Sequence, residues 1–353
     1  RSMARIISVQ SAFPKHRHSQ NEVTKLLQTV WPDHASVLER LEKTSGVETR
    51  NFAIPLDAYP TLAGFGQRNA LYLKEMMETL ENSVRGLLEK TGFDWRDVGV
   101  LVSNTITGVA VPSLDARLMN RLPIPHDVQR TPILGLGCMG GVSSLNRANA
   151  LLKAFPQKLA LVVAAEACSL TFQLEDPSMA NLVATNLFGD GAAAVLLAGE
   201  EHPFAESAPL RIVDGASSFY PNTERVMGWD MVDTGFKIVL SGNVPEIVQQ
   251  FVGRDVLAFL ERNGLTLAAV DSLVSHPGGP KVLTALAQEL GKDEDLFRHS
   301  WESLKEQGNL SSVSVLNVLE RHLDRKTLQP GYALALAMGP AFNSELSLFE
   351  VSR

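Results

Sequence analysis

Short apolar runs, separated by polar turns, recur along the whole chain and predict β-strands. Residues 158–165 are almost without polar positions, which is typical of a strand covered on both faces of its sheet. The runs in the first part of the chain are residues 4–9, 98–104, 131–136, 158–165 and 192–197, and those in the second part are residues 210–216, 272–275, 332–337 and 345–350.

Longer segments with apolar residues three or four positions apart lie between these runs and predict α-helices. The most extended one, residues 67–91, ends before Gly92, and glycine commonly terminates a helix. Because strands alternate with helices throughout, the pattern predicts a layered α/β architecture. The other predicted helices are residues 21–30, 36–44, 112–122, 142–155, 245–263, 281–290 and 311–323, and residues 229–240 resemble a hairpin.

Two ten-residue segments of the chain are similar to each other. Residues 137–146 (GCMGGVSSLN) align without a gap with residues 308–317 (GNLSSVSVLN), and Gly, Val, Ser, Leu and Asn match in register. The flanks agree with this, since residues 98–104 align with 270–276 and residues 159–166 with 331–338. We interpret the chain as one structural unit used twice.

The polar segment 200–208 (EEHPFAESA) is the best candidate for the boundary between the two copies. We therefore expect an N-terminal half over residues 1–203 and a C-terminal half over residues 204–353. Because residues from both halves have to converge on one site, we expect the halves to pack as a rigid body.

Composition restricts the classes of function. Of the 353 residues, 45% are hydrophobic and 20% are charged, as in an ordinary globular protein. A net charge of -7 argues against a general nucleic-acid binder. We expect no membrane span, because no stretch of 18 apolar residues occurs. Two cysteines and no apolar signal region favour reduced thiols in the cytoplasm, and Arg1-Ser2 is interpreted as a remnant of cloning.

Cys138 is the first candidate for chemistry. It follows an apolar strand and Gly137, and it precedes a predicted helix whose first two turns carry no charge. Helix N-termini stabilise anions, so the position predicts a lowered thiol pKa. Gly137, Gly140 and Gly141 would let the backbone approach a reacting carbonyl closely. The alternative is a buried structural cysteine with glycines that serve tight helix packing.

His276 and Asn309 are the second and third candidates. His276 ends an apolar strand and precedes the rigid turn 277–280 (PGGP), and imidazole is the usual partner of a reactive thiol. Asn309 occupies the place in the second copy that Cys138 has in the first. Its amide can donate a hydrogen bond to a thioester oxygen, although asparagine is also a favoured helix N-cap.

Other polar residues carry weaker signals. Asp190 and Glu166 are interpreted as structural. Arg40, Lys43, Arg50 and Lys281 are candidates for contact with a phosphorylated ligand or are ordinary surface charges. We expect no metal site, because neither cysteine has a histidine at ligand spacing.

The motifs GLGCMGG, NLFGDGAAAVLL, SHPGGP and GNLSS together resemble, in order and spacing, the type III polyketide synthases, which are chalcone-synthase-like condensing enzymes. The resemblance covers nearly the whole chain. It implies a thiolase-like fold, a duplicated α/β/α/β/α layering, a homodimer, and coenzyme A (CoA) thioesters as substrates with no tightly bound cofactor. Acyl-CoA and malonyl-CoA would be the partners, and no nucleic acid.

The resemblance also implies residue roles. Cys138 would hold the growing acyl chain, and His276 and Asn309 would bind the thioester carbonyl and stabilise the enolate left by malonyl decarboxylation. Phe188 and Phe236 would be gate residues between the CoA tunnel and the cavity. Cavity positions would be Ile106, Thr107, Cys168, Thr171, Ser311 and, reaching into the partner subunit, Val111. The CoA tunnel would be lined by Arg40, Lys43 and Lys281.

The resemblance further implies an iterative enzyme of the bacterial alkylpyrone or alkylresorcinol type, with a medium or long fatty acyl starter. Cys168 would open an added tunnel for that chain. Ala341 stands where the family usually has glycine, so we expect backbone strain there. Three alternatives stay open: a single-round ketoacyl synthase, a Cys-His-Asn acyl hydrolase, and a catalytically silent binding protein of the same fold.

Overall fold

The structure, a computed structural model, describes residues 3–353; Arg1 and Ser2, and with them the interpretation of these two residues, lie outside the described part. Nine of its strands follow one hydrogen-bonded order, β11-β12-β13-β8-β1-β7-β6-β4-β5. The strands are β1 (Arg5–Ala12), β2 (His16–Ser19), β3 (Thr49–Phe52), β4 (Val98–Thr105), β5 (Gln129–Leu134), β6 (Leu159–Ala167), β7 (Asp190–Ala198), β8 (Leu210–Phe219), β9 (Met227–Val232), β10 (Gly235–Leu240), β11 (Val270–Ser275), β12 (Gly331–Gly339) and β13 (Asn343–Val351).

The helices fill the layers around these strands. They are α1 (Gln20–Val30), α2 (Ala35–Thr44), α3 (Phe65–Thr91), α4 (Leu114–Met119), α5 (Gly140–Leu152), α6 (Met179–Leu187), α7 (Val244–Ile247), α8 (Gly253–Arg262), α9 (Pro280–Leu290), α10 (Arg298–Gln307) and α11 (Ser312–Arg325). A π-helical turn over Val248–Val252 joins α7 to α8, so the predicted helix 245–263 is interrupted.

The strand pairing confirms the internal repeat. In the first copy β4 runs parallel to β6, and β6, β7 and β1 pair antiparallel in turn. In the second copy β11 runs parallel to β12, and β12, β13 and β8 pair antiparallel in the same way. The copies meet at β1 and β8, where Arg5 lies opposite Arg211. Between β7 and β8 the expected boundary segment forms a short turn, Pro203–Ser207, and the boundary itself stays a prediction.

Two helices, α5 and α11, form the middle layer. They contact each other, and each also contacts strands of both copies. Their buried side chains belong to one apolar cluster together with the inner faces of β4, β6, β11 and β12. Because a helix in this place is covered on several sides, its residues are small or apolar: Ser312 to Leu319 are all buried.

The outer layers are conventional amphipathic helices. On the first copy α3 packs its apolar stripe against β1, β6 and β7, with Tyr72, Met76, Leu80, Val84 and Leu87 buried. Each such side chain contributes roughly 1.5–3 kcal/mol of transfer free energy. On the second copy α8 and α9 belong to the cluster that covers the other face of β12 and β13. The result is the expected α/β/α/β/α layering.

Several boundaries differ from the sequence prediction. The predicted helix 112–122 shrinks to α4, which begins after Ser113. The sequence analysis missed α6 and α10, of nine and ten residues, and the pair β2–β3, whose strands have four residues each. The predicted hairpin 229–240 is confirmed as β9 and β10. None of the helices between residues 3 and 353 has the length and hydropathy needed to span a bilayer.

The close approach of the two helices in the middle layer generates a prediction. A methyl group added at Gly141 of α5 would overlap the carbonyl oxygen of Ser312 and lie 2.7 Å from Cγ1 of Val315. The added methyl group would force the backbone of α11 to move. We therefore expect Gly141→Ala to lower the free energy of unfolding by roughly 1–3 kcal/mol, measured by denaturant titration.

Gly66→Ala is the matched control, because nothing lies within 4 Å of a methyl group added at that helical position. We expect this variant to be as stable as the original chain or slightly more stable. Equal stabilities for the two alanine variants would contradict the close approach of α5 to α11.

Candidate active site

One cavity of about 680 Å³ contains all three candidate residues, Cys138, His276 and Asn309, in its wall. They come from three elements: the turn before α5, the loop after β11 and the loop before α11. The internal repeat explains the convergence, because α5 and α11 are equivalent neighbours and their N-termini point to the same end of the middle layer. Most of the remaining wall is apolar, with Leu187, Phe188, Trp229, Ile238 and Met338 among its residues.

Cys138 lies in a single helical turn, Gly137–Met139, directly before α5. Its Sγ is 3.7 Å from Oγ of Ser311, to which the thiol donates. Gly137 has a φ of 55°, and a methyl group there would lie 2.5 Å from Cδ of Pro340. A methyl group at Gly140 would overlap the Asn104 amide. The glycines around Cys138 therefore serve close packing of the turn and α5, and Gly137 also lines the cavity, while the expected approach to a substrate carbonyl stays a prediction.

Asn309 is held in one orientation. Its Oδ1 accepts a hydrogen bond from the Ser311 backbone N–H at 2.8 Å, and its Nδ2 donates to the Gly278 carbonyl at 2.9 Å. Since Oδ1 and one N–H are occupied, the amide has its second N–H left to offer as a donor. Ser311 adopts a φ of 54°, a strained value for a residue other than glycine, which is characteristic of functional sites.

His276 follows β11 and donates its backbone N–H to the Leu336 carbonyl at 2.9 Å, which fixes it to β12. The side chain is buried, and its Nδ1 has no hydrogen-bond partner among the described residues. Gly278, in the turn that follows, has a φ of 57° and carries the carbonyl that orients Asn309. The same turn therefore positions His276 and Asn309 together.

Next to this cavity lies a second one of about 280 Å³, and aromatic rings line both. Phe188 lines the first cavity, Phe236 lines the second, and Trp229 lines both. The Trp229 ring lies 6.2 Å from Phe188 and 6.3 Å from Phe236 between centroids. The sequence analysis named the two phenylalanines and missed Trp229 as the ring between them, although a tryptophan inside a predicted hairpin was a usable signal.

The predicted cavity residues divide into two groups. Ile106 lines the second cavity and Ser311 the first. Thr107, Cys168 and Thr171 are buried but line neither, and Cys168 packs in the cluster beneath α3. Cys168 therefore belongs to neither of these two cavities, and the tunnel expected there stays a prediction. Val111 lies on the surface with 89% of its area exposed, so its expected place in a partner's cavity stays a prediction.

Glu166 is structural, as interpreted. It is fully buried at the end of β6, where it accepts hydrogen bonds from Ile106 N, Thr107 Oγ1 and Ser312 Oγ at 3.0, 2.6 and 2.7 Å. Burial raises its pKa to about 7.

Asp190 is likewise buried and structural. It accepts hydrogen bonds from the backbone N–H groups of Ala53 and Ser169 at 2.7 and 2.8 Å. The carboxylate therefore ties the start of β7 to the segments after β3 and β6.

Comparison with known proteins identifies the family. The model of the FAE1/type III polyketide synthase-like proteins matches residues 13–214, and that of the chalcone and stilbene synthase C-terminal domain matches residues 211–350. The chain is 39% identical to a 1,3,6,8-tetrahydroxynaphthalene synthase of Streptomyces peucetius subsp. caesius, over 97% of this chain and 92% of that one. It is 29% identical to a phloroglucinol synthase of Pseudomonas fluorescens, over 96% of each.

Among solved structures, the 1,3,6,8-tetrahydroxynaphthalene synthase of Streptomyces coelicolor A3(2), a bacterial type III polyketide synthase, superposes with a TM-score of 0.93 at 28% identity, over 99% of both chains. The chain belongs to the type III polyketide synthase family. It is therefore an acyltransferase with the thiolase-like fold. Neither curated relative is named for an alkylpyrone or alkylresorcinol, so the narrower resemblance goes beyond what these relatives support.

Burial controls the charge of the synthase's candidate residues. It raises the pKa of the Cys138 thiol to about 12, with the Glu166 carboxylate adding to the rise, and it lowers the pKa of His276 to about 3. Both shifts favour a neutral thiol and a neutral imidazole, contrary to the lowered thiol pKa that the helix N-terminus predicted. A Cys138 thiolate and a His276 imidazolium that form together cost less free energy in this apolar cavity than either ion alone, because their opposite charges attract each other.

The charged residues expected at the tunnel separate in the structure. Arg40 and Lys281 line the large cavity. Lys43 does not; its Nζ lies 3.1 Å from Oε1 of Glu39 on the same exposed helix face. Ala341 has a φ of 88°, in the region that favours glycine, so the expected strain is confirmed.

A neutral Cys138 thiol and a neutral His276 imidazole in the wall of one cavity generate a prediction about thiol reactivity. If the Cys138 thiolate forms only together with a His276 imidazolium, His276→Gln should slow alkylation of Cys138 by iodoacetamide at pH ~7.5 about tenfold or more. The measurement is the modification rate of the Cys138 peptide, followed by mass spectrometry.

His322→Gln is the matched control, since His322 is also buried, with its pKa lowered to about 4, and does not line either cavity. We expect this variant to alkylate at the original rate. Equal rates in the His276 and His322 variants would show that the imidazole at 276 does not activate the thiol.

Proposed function

We propose that this synthase extends an acyl group held as a thioester on Cys138 by decarboxylative condensation with malonyl-CoA. The arrangement of Asn309 carries the proposal: its amide is locked by Ser311 and Gly278, and it shares one apolar cavity with Cys138 and His276. A preoriented N–H donor is what stabilises negative charge on a thioester oxygen.

The first half-reaction is acyl transfer. The Cys138 sulfur attacks the carbonyl carbon of an acyl-CoA, the carbon–sulfur bond to CoA breaks, and CoA leaves as the thiol. His276 accepts the proton from Cys138 and delivers it to the departing CoA sulfur. The N-terminus of α5 faces the sulfur and favours its negative charge during the attack.

The second half-reaction is condensation. Malonyl-CoA loses carbon dioxide, and the electron pair of the broken carbon–carbon bond becomes an enolate whose oxygen accepts hydrogen bonds from His276 and Asn309. The enolate carbon attacks the Cys138 thioester, a carbon–carbon bond forms, and the Cys138 sulfur leaves. The product is a chain two carbons longer on CoA, which can reload Cys138. Phe188 offers an apolar wall on which a carboxylate is disfavoured.

The substrate's nucleotide end would enter past Arg40 and Lys281, whose cationic side chains suit phosphate groups. The starter that we propose is a medium or long fatty acyl chain. Release would follow as an alkylpyrone or alkylresorcinol. The large cavity supports a fatty starter because its wall is apolar, with Leu41, Val183, Ile238, Leu240 and Val282.

A second candidate product has its own support. Two of the curated relatives are named for tetrahydroxynaphthalene and phloroglucinol, which are ring compounds without an alkyl tail, and Cys168 lines neither of the two cavities. Both facts favour a product built from malonyl-CoA alone, without a fatty starter.

We also propose a homodimer. Strand β5 is the edge of the sheet and is paired on one side only, to β4. Leu134 at its end and Val111, in the segment between β4 and α4, are both more than half exposed, at 57% and 89%. Edges with exposed apolar residues are favourable places for a second copy to pair. Sedimentation equilibrium measures the assembly, and a monomer at all protein concentrations would contradict it.

The test of the substrate uses malonyl-CoA alone and malonyl-CoA with acyl-CoA starters of increasing chain length, with products identified by mass spectrometry. We expect products that contain several two-carbon units. Ring products without an acyl tail, formed equally with and without starters, would support the second candidate. A single added unit would indicate a ketoacyl synthase, and free acid without malonyl dependence a hydrolase.

The test of the residues separates the two half-reactions. Cys138→Ala should abolish the acyl-enzyme seen by intact-protein mass spectrometry. Asn309→Leu should leave the acyl-enzyme formed and slow carbon dioxide release from malonyl-CoA by about 10²–10³-fold, because it removes an enolate donor.

Asn21→Leu is the matched control for the asparagine variant. Asn21 lies on the exposed face of α1, where its amide donates to Oε1 of Glu42 at 3.2 Å, and it lines neither cavity. We expect it to release carbon dioxide at the original rate. Undiminished carbon dioxide release in the Asn309 variant would contradict the role of Asn309.

A further inference from the structure

A buried arginine lies behind the cavity wall and does not line either cavity. Arg50, in β3, has no exposed surface, so it is neither the surface charge nor the contact to a phosphorylated ligand that the sequence analysis considered. Its Nη1 donates hydrogen bonds to the Thr185 carbonyl at 2.7 Å and to the Phe188 carbonyl at 2.8 Å. The guanidinium lies 5.2 Å from the centroid of the Phe52 ring.

The two carbonyls belong to the end of α6, which is the helix that leads into Phe188. The last carbonyls of a helix have no partner within it and carry the negative end of its dipole. A buried guanidinium supplies both the hydrogen-bond donors that these carbonyls lack and a positive charge near the negative end of the dipole. α6 has no basic residue of its own in its last turn. Arg50 therefore fixes the backbone position at which Phe188 leaves the helix.

The same backbone is tied to Asn309. The Asn309 N–H donates to the Leu187 carbonyl at 2.7 Å, and the Gly189 N–H donates to the Asn309 carbonyl at 3.0 Å. In addition, a methyl group at Gly308 would lie 2.9 Å from Cδ of Arg50, so the arginine stem packs against the residue before Asn309. One side chain thus contacts both segments that carry Phe188 and Asn309.

A side chain that only filled space at this position would not need a positive charge or hydrogen-bond donors. Burial lowers the pKa of Arg50 to about 9, and its Nε and Nη2 have no hydrogen-bond partner among residues 3–353. Burying a cation with donors unused is costly compared with a methionine of similar length. What the guanidinium adds is a fixed end for α6, because one Nη1 reaches two of its last carbonyls at once, while the stem of the same side chain packs against Gly308.

We propose that Arg50 is a positioning residue for decarboxylation: it holds the Phe188 and Asn309 segments at the spacing at which both face the malonyl group. This rests on the proposed function of those two residues. Acyl transfer depends on Cys138 and His276, and among the described residues Arg50 makes no hydrogen bond to either. The effect of Arg50 is therefore confined to the condensation half-reaction.

The experiment compares Arg50→Met and Arg50→Lys with the original chain. Two rates are measured: acyl-enzyme formation from an acyl-CoA, by intact-protein mass spectrometry, and carbon dioxide release from malonyl-CoA. We expect Arg50→Met to release carbon dioxide roughly 10–100-fold more slowly, as small misplacements of reacting groups do, with acylation within about threefold of the original rate. Arg50→Lys, with a single-point donor, should be intermediate.

Val84→Ala is the control, because Val84 is a buried residue of α3, which packs against β1, β6 and β7. It should lower the thermal midpoint and leave the ratio of the two rates unchanged. If Arg50→Met lowers both rates in proportion, or if neither Arg50 variant folds, the role is structural and the inference is overturned. If the original chain releases no carbon dioxide from malonyl-CoA, the proposed function itself fails, which is a separate result.

Discussion

The packing of α5 against α11 is the constraint on which the rest of the molecule depends. The two helices are buried between the two copies of the repeat, and the turn before each one carries a candidate residue: Cys138 in one case and Asn309 in the other. Their approach is so close that Gly141 has no room for a methyl group. A shift of either helix would move the thiol away from the amide.

The burial of Cys138 and His276 raises the free energy of forming charge on either side chain, and the site has to offset this cost. Apolar walls favour the neutral forms of Cys138 and His276, although the chemistry needs a charged sulfur. The same walls strengthen any interaction with charge that develops during reaction, because water is excluded. A neutral resting pair and a locked Asn309 amide are therefore compatible with an efficient acyl transfer, since the charges form together and meet donors already in place.

Buried polar groups around the cavity connect elements at longer range. Glu166 joins the ends of β4 and β6 to the start of α11, and Arg50 joins the end of α6 to the loop before Asn309. Each lies at a junction where backbone groups lose their regular partners. Trp229 contributes in another way, because it lines both cavities and its ring lies near those of Phe188 and Phe236.

Much of the architecture followed from the sequence alone, because it depends on local period and on repetition. The alternating strands and helices, the alignment of 137–146 with 308–317, and the candidates Cys138, His276 and Asn309 were all predictable from one chain. Tertiary structure decided what local pattern cannot express: that the thiol pKa rises rather than falls, that Cys168 and Lys43 lie away from the cavities, and that Trp229 and Arg50 adjoin the site. The physical reason is that burial and long-range contact depend on neighbours distant in the chain, whereas period and repeat are properties of consecutive residues.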